Sequence, residues 1–140
     1  MRESLLGGDA GAVTGSPCVW LRLEGLAVLI LALLLYYRGG HSWLVFAVAF
    51  LAPDLSVISY LGGARAGAIG YNAAHSYLGP ALIAALALFI GRPPVAALIW
   101  IAHIGLDRAV GYGLKYPTGF DASQLGHLRG GRPRINSLAD

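Results

Sequence analysis

Charged side chains are scarce in this sequence. Only 12% of its 140 residues are Asp, Glu, Lys or Arg, whereas 56% are hydrophobic and the mean hydropathy is +0.64. A soluble domain carries about twice that share of charge, so the composition excludes an ordinary water-soluble protein. The apolar residues also fall in blocks of about 17 to 20, the length that crosses about 30 Å of hydrocarbon. The sequence therefore predicts an integral membrane protein.

Cysteine and dense basic clusters are also lacking. Cys18 is the single cysteine, so no disulfide forms within the chain, and cysteine usage does not indicate a redox compartment. The net charge is +3, but Lys and Arg are spread over the predicted loops and the tail, which in a membrane chain is first an orientation signal. We therefore expect that the protein lies in the lipid bilayer and has no nucleic-acid partner.

Four apolar segments are separated by short polar or glycine-rich connections. They cover residues 19–37, 42–61, 68–90 and 94–112. Pro53 lies inside the second segment and is expected to kink it just before Asp54, because proline removes a backbone hydrogen bond. Short connections make neighbouring helices antiparallel. We therefore predict an all-α integral membrane bundle of four transmembrane helices that run up-down-up-down.

The distribution of basic residues predicts the orientation of this bundle. Most Lys and Arg residues outside the spans lie in the N-terminus, the second loop and the C-terminal tail, and only Arg38 and Arg92 lie in the opposite loops. Both termini are then expected to be cytoplasmic. The predicted regions are a flexible leader at 1–17, a four-helix transmembrane domain at 18–114 and a polar, solvated cytoplasmic tail at 115–140.

Ionisable side chains inside the predicted spans are the main functional signal, because a charge within a membrane is costly. At 1.5 Å of rise per residue, the polar positions of all four spans fall in one layer of the bundle. The polar residues of the spans are Glu24, Asp54, Asn72, His75, His103, Asp107 and Arg108.

Two spacings bring metal-binding side chains onto common helix faces. His103 and Asp107 are four residues apart and lie one turn from each other, and Asn72 and His75 are three apart. Two histidines and two carboxylates can therefore converge from three helices. Imidazole nitrogens and carboxylate oxygens suit a divalent metal such as zinc, manganese or iron. The predicted ligands are Asp54, His75, His103 and Asp107.

The remaining polar residues are candidates for catalysis and substrate binding. Glu24 is a candidate for one of three roles. It could be a further metal ligand, it could accept a hydrogen bond from a metal ligand, or it could act as a general base. Arg108 and Lys115 lie toward the cytoplasmic mouth and are candidates for holding an anionic small molecule or lipid, such as a phosphate. Asn72 and Tyr112 complete the predicted substrate-binding set with Lys115.

A structural interpretation of the same residues competes with the metal site. Buried polar groups can simply pair with one another and so fix helix packing. The candidate pairs are Arg108 with Asp107 or Glu24, and His75 with Asn72 or a backbone carbonyl. A narrower alternative is haem, with the two buried histidines as axial ligands.

Five short motifs resemble a family of small bacterial membrane proteins described as a domain of unknown function. The resemblance covers residues 21–126. Its motifs are Arg22-Leu-Glu-Gly-Leu26, Ala52-Pro-Asp-Leu55, Tyr71-Asn-Ala-Ala-His75, His103-Ile-Gly-Leu-Asp-Arg108 and Gly111-Tyr-Gly-Leu-Lys-Tyr-Pro-Thr-Gly-Phe120. The resemblance implies a multi-pass protein of the bacterial inner membrane and carries no particular activity.

A weaker similarity is to the membrane-bound metal-dependent hydrolases. The shared motifs are Pro53-Asp54, His75-Ser76 and the pair His103 and Asp107. That similarity implies that the two aspartates and two histidines are metal ligands. This chain has Ser76 and Tyr77 where the hydrolases have Arg-Gly.

Two classes of function follow from these observations. The first is a metal-dependent hydrolase of a lipid or phosphoester near the cytoplasmic face. The alternative is a non-enzymatic transporter or an accessory subunit of a larger membrane complex, in which the polar layer fixes packing or binds a small ligand. Membership of an oligomer or complex is compatible with both.

Overall fold

The computed structural model describes residues 12–127, which form helices and one small hairpin. The helices are α1 (Ser16–Arg38), α2 (Trp43–Phe50), a 3₁₀ helix (Ala52–Gly62), α3 (Ala64–Ala74), α4 (Leu78–Phe89) and α5 (Val95–Val110). The two short strands, β1 (Ala122–Ser123) and β2 (Gly126–His127), pair antiparallel. The prediction of an all-α fold is confirmed.

Three helical stretches are long and apolar enough to cross a membrane, namely Ser16–Arg38, Trp43–Gly62 and Ala64–Phe89. Helix α5 has 16 residues, or about 24 Å of helix, and is shorter than the predicted fourth span. Large apolar side chains point outward, with Val48 exposed by 72% and Leu82 by 73%. Such a surface matches a lipid environment. The orientation, with both termini cytoplasmic, stays a prediction.

The second span breaks where the sequence predicts. Helix α2 ends at Phe50, and a 3₁₀ helix begins at Ala52 with Pro53 in its first turn. The N–H of Asp54 donates to the carbonyl oxygen of Leu51 at 3.1 Å, a bond to the third preceding residue that is typical of 3₁₀ geometry. Asp54 is therefore placed at the break in the span.

The third span is not the continuous helix that we predicted over residues 68–90. It is interrupted between Ala74, where α3 ends, and Leu78, where α4 begins. In a continuous helix, Pro80 would clash with the carbonyl group of Ser76 and leave it unbonded. A restart at Leu78 puts Pro80 in the first turn, where its missing N–H has no cost. His75 consequently lies at the end of α3.

Helices α1 and α5 pack through glycines. A Cβ atom on Gly105 would lie 2.8 Å from the backbone nitrogen of Leu29 and 2.9 Å from the carbonyl oxygen of Gly25. Only glycine permits the two backbones to approach this closely, as small residues do between membrane helices. This contact holds in place the helix that carries two of the four predicted ligands.

The first part of the predicted tail is packed against the bundle rather than solvated. Lys115 and Ser123 are only 3% and 2% exposed. The side-chain amide of Asn72 donates to the carbonyl oxygen of Lys115 at 2.8 Å, and its oxygen accepts from the N–H of Lys115 at 2.6 Å. These two bonds tie residues 112–127 to α3. The basic stretch at 129–134 and most of the predicted leader lie outside the described residues.

Candidate metal centre

Four of the predicted site residues meet although they come from three separate segments. Asp54 comes from the 3₁₀ helix, His75 from the end of α3, and His103 and Asp107 from one face of α5. The Nε2 atoms of the two histidines lie 3.2 Å apart. The Oδ1 atom of Asp54 lies 3.6 and 3.5 Å from these nitrogens, and the Oδ2 atom of Asp107 lies 3.5 Å from each. Each carboxylate therefore contacts both imidazoles.

These separations match those of donor atoms around a single metal ion. With bonds of about 2.0–2.2 Å to the ion, neighbouring ligand atoms lie roughly 3 to 3.5 Å apart. Asp54, His75 and His103 each offer one ligand atom, and these three atoms lie within 4.8 Å of one another. Asp107 has a carboxylate oxygen 3.5 Å from each imidazole but lies outside this three-residue group. Imidazole nitrogens and carboxylate oxygens are donor types that bind divalent metal ions.

A hydrogen bond orients the imidazole of His75 toward this cluster. Its Nδ1 atom lies 2.9 Å from the carbonyl oxygen of Tyr71. A carbonyl only accepts, so Nδ1 carries the proton and the neutral ring keeps its lone pair on Nε2. The ring also stacks on Tyr71 with centroids 3.8 Å apart. Metal-binding histidines are held in this way by a second hydrogen bond.

The cluster contains more acceptors than protons. His75 Nε2 and two carboxylate oxygens surround His103 Nε2 within 3.5 Å, and that nitrogen can supply one proton at most. Such a group is balanced by extra protons, by a cation or, at the half-exposed carboxylate of Asp54, by solvent, because unpaired buried charges are costly. A divalent ion supplies two positive charges at one point. The same distances exclude haem, since no porphyrin plane fits between nitrogens 3.2 Å apart.

A cleft of about 240 Å³ opens at the carboxylates. Its walls include Tyr71, Tyr112 and Phe120. The side chain of Asp54 is 50% exposed and that of Asp107 19% exposed, whereas both histidines are buried. The carboxylates therefore face the cleft, and the imidazoles lie behind them.

Lys115 lies among the aromatic walls of this cleft. Its Nζ atom is 4.4 Å from the ring centroid of Phe120, 5.2 Å from that of Tyr71 and 5.9 Å from that of Tyr112. Within the described residues, Nζ has no hydrogen-bond partner. Burial lowers the pKa of this ammonium group below the ordinary lysine value. The rings compensate part of that penalty through cation–π contacts.

Arg108 and Glu24 lie outside the cluster. The Nη2 atom of Arg108 donates to the carbonyl oxygen of His75 at 3.3 Å, so the guanidinium supports that histidine from behind. Arg108, Glu24 and Tyr77 line a second groove of about 250 Å³. Glu24 is exposed and is not brought together with the ligands. Among the described residues, neither Glu24 nor Asp107 forms the ion pair with Arg108 that the structural interpretation offered, whereas its pairing of His75 with a backbone carbonyl is present.

The contributions of Tyr71 and Phe120 were not predicted from the sequence. Tyr71 stands four residues before His75, a spacing that places both on one helix face. Phe120 gives no such local signal, because it reaches the cleft only through the folding of residues 112–127. The side-chain amide of Asn72 forms two hydrogen bonds with the backbone of Lys115, and its predicted role in substrate binding stays a prediction.

The fold and the cluster together define a helical membrane protein with a His/Asp group suited to a metal ion. The family model described as domain of unknown function DUF4260 matches residues 18–128, and the chain belongs to this family. No curated protein and no solved structure matches the chain. The resemblance to a family of unknown function is thus confirmed, whereas the similarity to membrane-bound metal-dependent hydrolases gains no support.

Proposed function

We propose that the protein binds one divalent metal ion through Asp54, His75, His103 and Asp107 and hydrolyses a lipid or phosphoester in the adjoining cleft. The observation that carries the proposal is the set of five donor-atom distances between 3.2 and 3.6 Å. Three separate helical segments supply these atoms, so their convergence is not a consequence of local helix geometry.

The open side of the cluster supports a catalytic rather than a purely structural ion. Structural zinc sites are typically closed and rich in cysteine, whereas catalytic sites keep a position for water or substrate. Here the exposed carboxylate of Asp54 faces a cleft large enough for a small polar group. A bound divalent ion supplies a Lewis acid and a hydroxide source near neutral pH. The cleft is lined by residues that follow α5, which places it at the end of the bundle predicted to be cytoplasmic.

Elemental analysis of detergent-purified protein tests the metal centre. Protein purified without chelator is expected to contain about one equivalent of a transition metal, and Asp54→Ala and His103→Ala are expected to lose it. His41→Ala is the matched control, because it removes a histidine outside the cluster. A metal-free preparation whose melting temperature ignores added zinc and manganese would overturn the proposal.

Hydrolysis is tested separately on the metal-loaded protein. We expect release of alcohol or phosphate from at least one member of a panel of lipid esters and phosphoesters, loss of that activity with chelator, and recovery on adding the metal back. Stoichiometric metal without hydrolysis of any panel member would contradict the catalytic part. It would favour the non-enzymatic alternative, a transporter or an accessory subunit of a larger membrane complex.

A further inference from the structure

We infer that Lys115, the single lysine of the chain, binds a phosphate oxyanion of the substrate in the cleft beside the metal centre. The inference rests on the proposed metal centre and adds the chemical class of its substrate. The sequence leaves Arg108 and Lys115 as candidates for binding an anion, and the inference assigns that role to Lys115.

The first argument is the unsatisfied ammonium group. Lys115 is 3% exposed, and its Nζ atom has no hydrogen-bond acceptor among the described residues. An ammonium group has three N–H donors, and aromatic faces stabilise its charge without accepting hydrogen bonds in the way oxygen does. A buried donor without an acceptor is costly. An oxyanion entering the cleft would supply both acceptor atoms and the opposite charge.

The second argument is the route to this group. The three rings around Nζ, those of Tyr71, Tyr112 and Phe120, are also walls of the cleft. Tyr71 is buried, but Tyr112 and Phe120 are each 42% exposed. Exposed side chains change rotamer rapidly. Since Lys115 does not itself line the cleft, an oxyanion would reach its ammonium group on rotation of either outer ring.

The third argument is the fixed position of Lys115 relative to the ligands. One hydrogen bond donated by Asn72 and one accepted by it hold the Lys115 backbone against α3, at a position three residues before His75. Tyr71 links the two groups directly, because its ring stacks on His75 and also lies 5.2 Å from Nζ. The backbone of Lys115 is therefore held by α3, close to a metal ligand, as well as by its bridge to Ser123 in the tail.

Charge balance gives the fourth argument. A divalent ion offsets the two carboxylates of Asp54 and Asp107, and the carboxylate that still acts on Lys115 is the exposed Asp121, which solvent screens. Lysine binds phosphate as a point charge through charge-assisted hydrogen bonds. Arg108 also has an unpaired buried atom, Nη1, but its guanidinium bonds to the carbonyl group of His75 and lines the other groove with Glu24 rather than the cleft at the carboxylates.

Binding of inorganic phosphate to the zinc-loaded protein tests the inference. Lys115→Met is expected to keep the metal content and to raise the dissociation constant for phosphate about tenfold or more, as expected for the loss of a charge-assisted hydrogen bond. Arg92→Met is the matched control, since it removes one positive charge from an exposed loop and is expected to leave the constant within about twofold. Lys115→Gln serves as a second neutral variant if the methionine variant does not fold.

The outcomes separate this inference from the metal proposal. A wild-type protein that binds no metal contradicts the metal centre itself. Unchanged phosphate affinity in metal-loaded Lys115→Met, or a larger loss in Arg108→Met, overturns the assignment to Lys115 while the metal centre stands. Glycerol 3-phosphate and phosphatidic acid in mixed micelles are then used as competitors. If one of them displaces the bound phosphate, the inference is supported, and the competitor that succeeds shows whether the substrate is soluble or a lipid. If neither displaces it, the inference is contradicted.

Discussion

His75 shows how one backbone hydrogen bond determines what a side chain can do. The carbonyl group of Tyr71 holds the Nδ1 proton, which leaves the Nε2 lone pair directed at His103 and the two carboxylates. The same carbonyl oxygen also accepts the backbone N–H of His75 at 2.9 Å, so it holds both the backbone and the side chain of the residue that caps α3.

Lys115 provides a prediction at the same scale. Burial disfavours its charged form, so its pKa is expected below the ordinary value of 10.5. The unfolded chain then binds more protons than the folded one between the lowered pKa and 10.5, and the free energy of unfolding rises with pH in that window. With ε-¹³C-labelled lysine, the protein gives one lysine signal, which is expected to titrate below 10.5. Titration at or above 10.5 would contradict the prediction, and Lys115→Met is expected to lack the pH-dependent gain in stability.

At the scale of helices, glycine and proline determine where backbones approach and where they break. Gly25 and Gly105 let α1 and α5 come into backbone contact, while Pro53 and Pro80 each lie in the first turn after an interruption of a span. Both interruptions are next to a predicted ligand. Breaks in membrane helices are tolerated where they line a cavity, and here they place Asp54 and His75 at the cleft and the cluster.

Gly105→Val tests the contact between α1 and α5. The added side chain has no room against Leu29 and Gly25, and the expected loss of stability is about 1–3 kcal/mol. The measurement is the melting temperature of the detergent-solubilised protein. Leu106→Val is the matched control, because Leu106 lies next along α5 and is 37% exposed. A melting temperature no lower than that of the control would show that the glycine contact is not needed.

The whole molecule depends on contacts between segments that are far apart in the sequence. The proposed ion joins the 3₁₀ helix, α3 and α5, and residues 112–127 close over the same end of the bundle. The described residues contain few other polar bonds between these segments. One of them runs from Trp100 Nε1 to the carbonyl oxygen of Ala74 at 2.6 Å. Metal binding should therefore stabilise the bundle as a unit.

Chelation tests this coupling. A ligand that binds only the folded state adds about 2.7 kcal/mol at one hundred times its dissociation constant, so chelator is expected to lower the melting temperature of the wild type by several degrees. Asp54→Asn, which keeps the size of the side chain but weakens binding, is expected to melt near the chelated wild type and to show little response to chelator. An identical response of wild type and variant would contradict a structural link through the ion.

The sequence alone determined the helical membrane character, the break at Pro53 and the pairing of His103 with Asp107. All three follow from local properties, since hydropathy depends on composition over about 20 residues, proline acts on its own turn, and the i to i+4 spacing lies within one helix. The tertiary structure decided which polar groups meet. It brought Asp54 and His75 to α5 and left Glu24 in another groove. It also buried Lys115, which the sequence places in a polar tail, because the packing of residues 112–127 rests on long-range hydrogen bonds to Asn72 that no local pattern records.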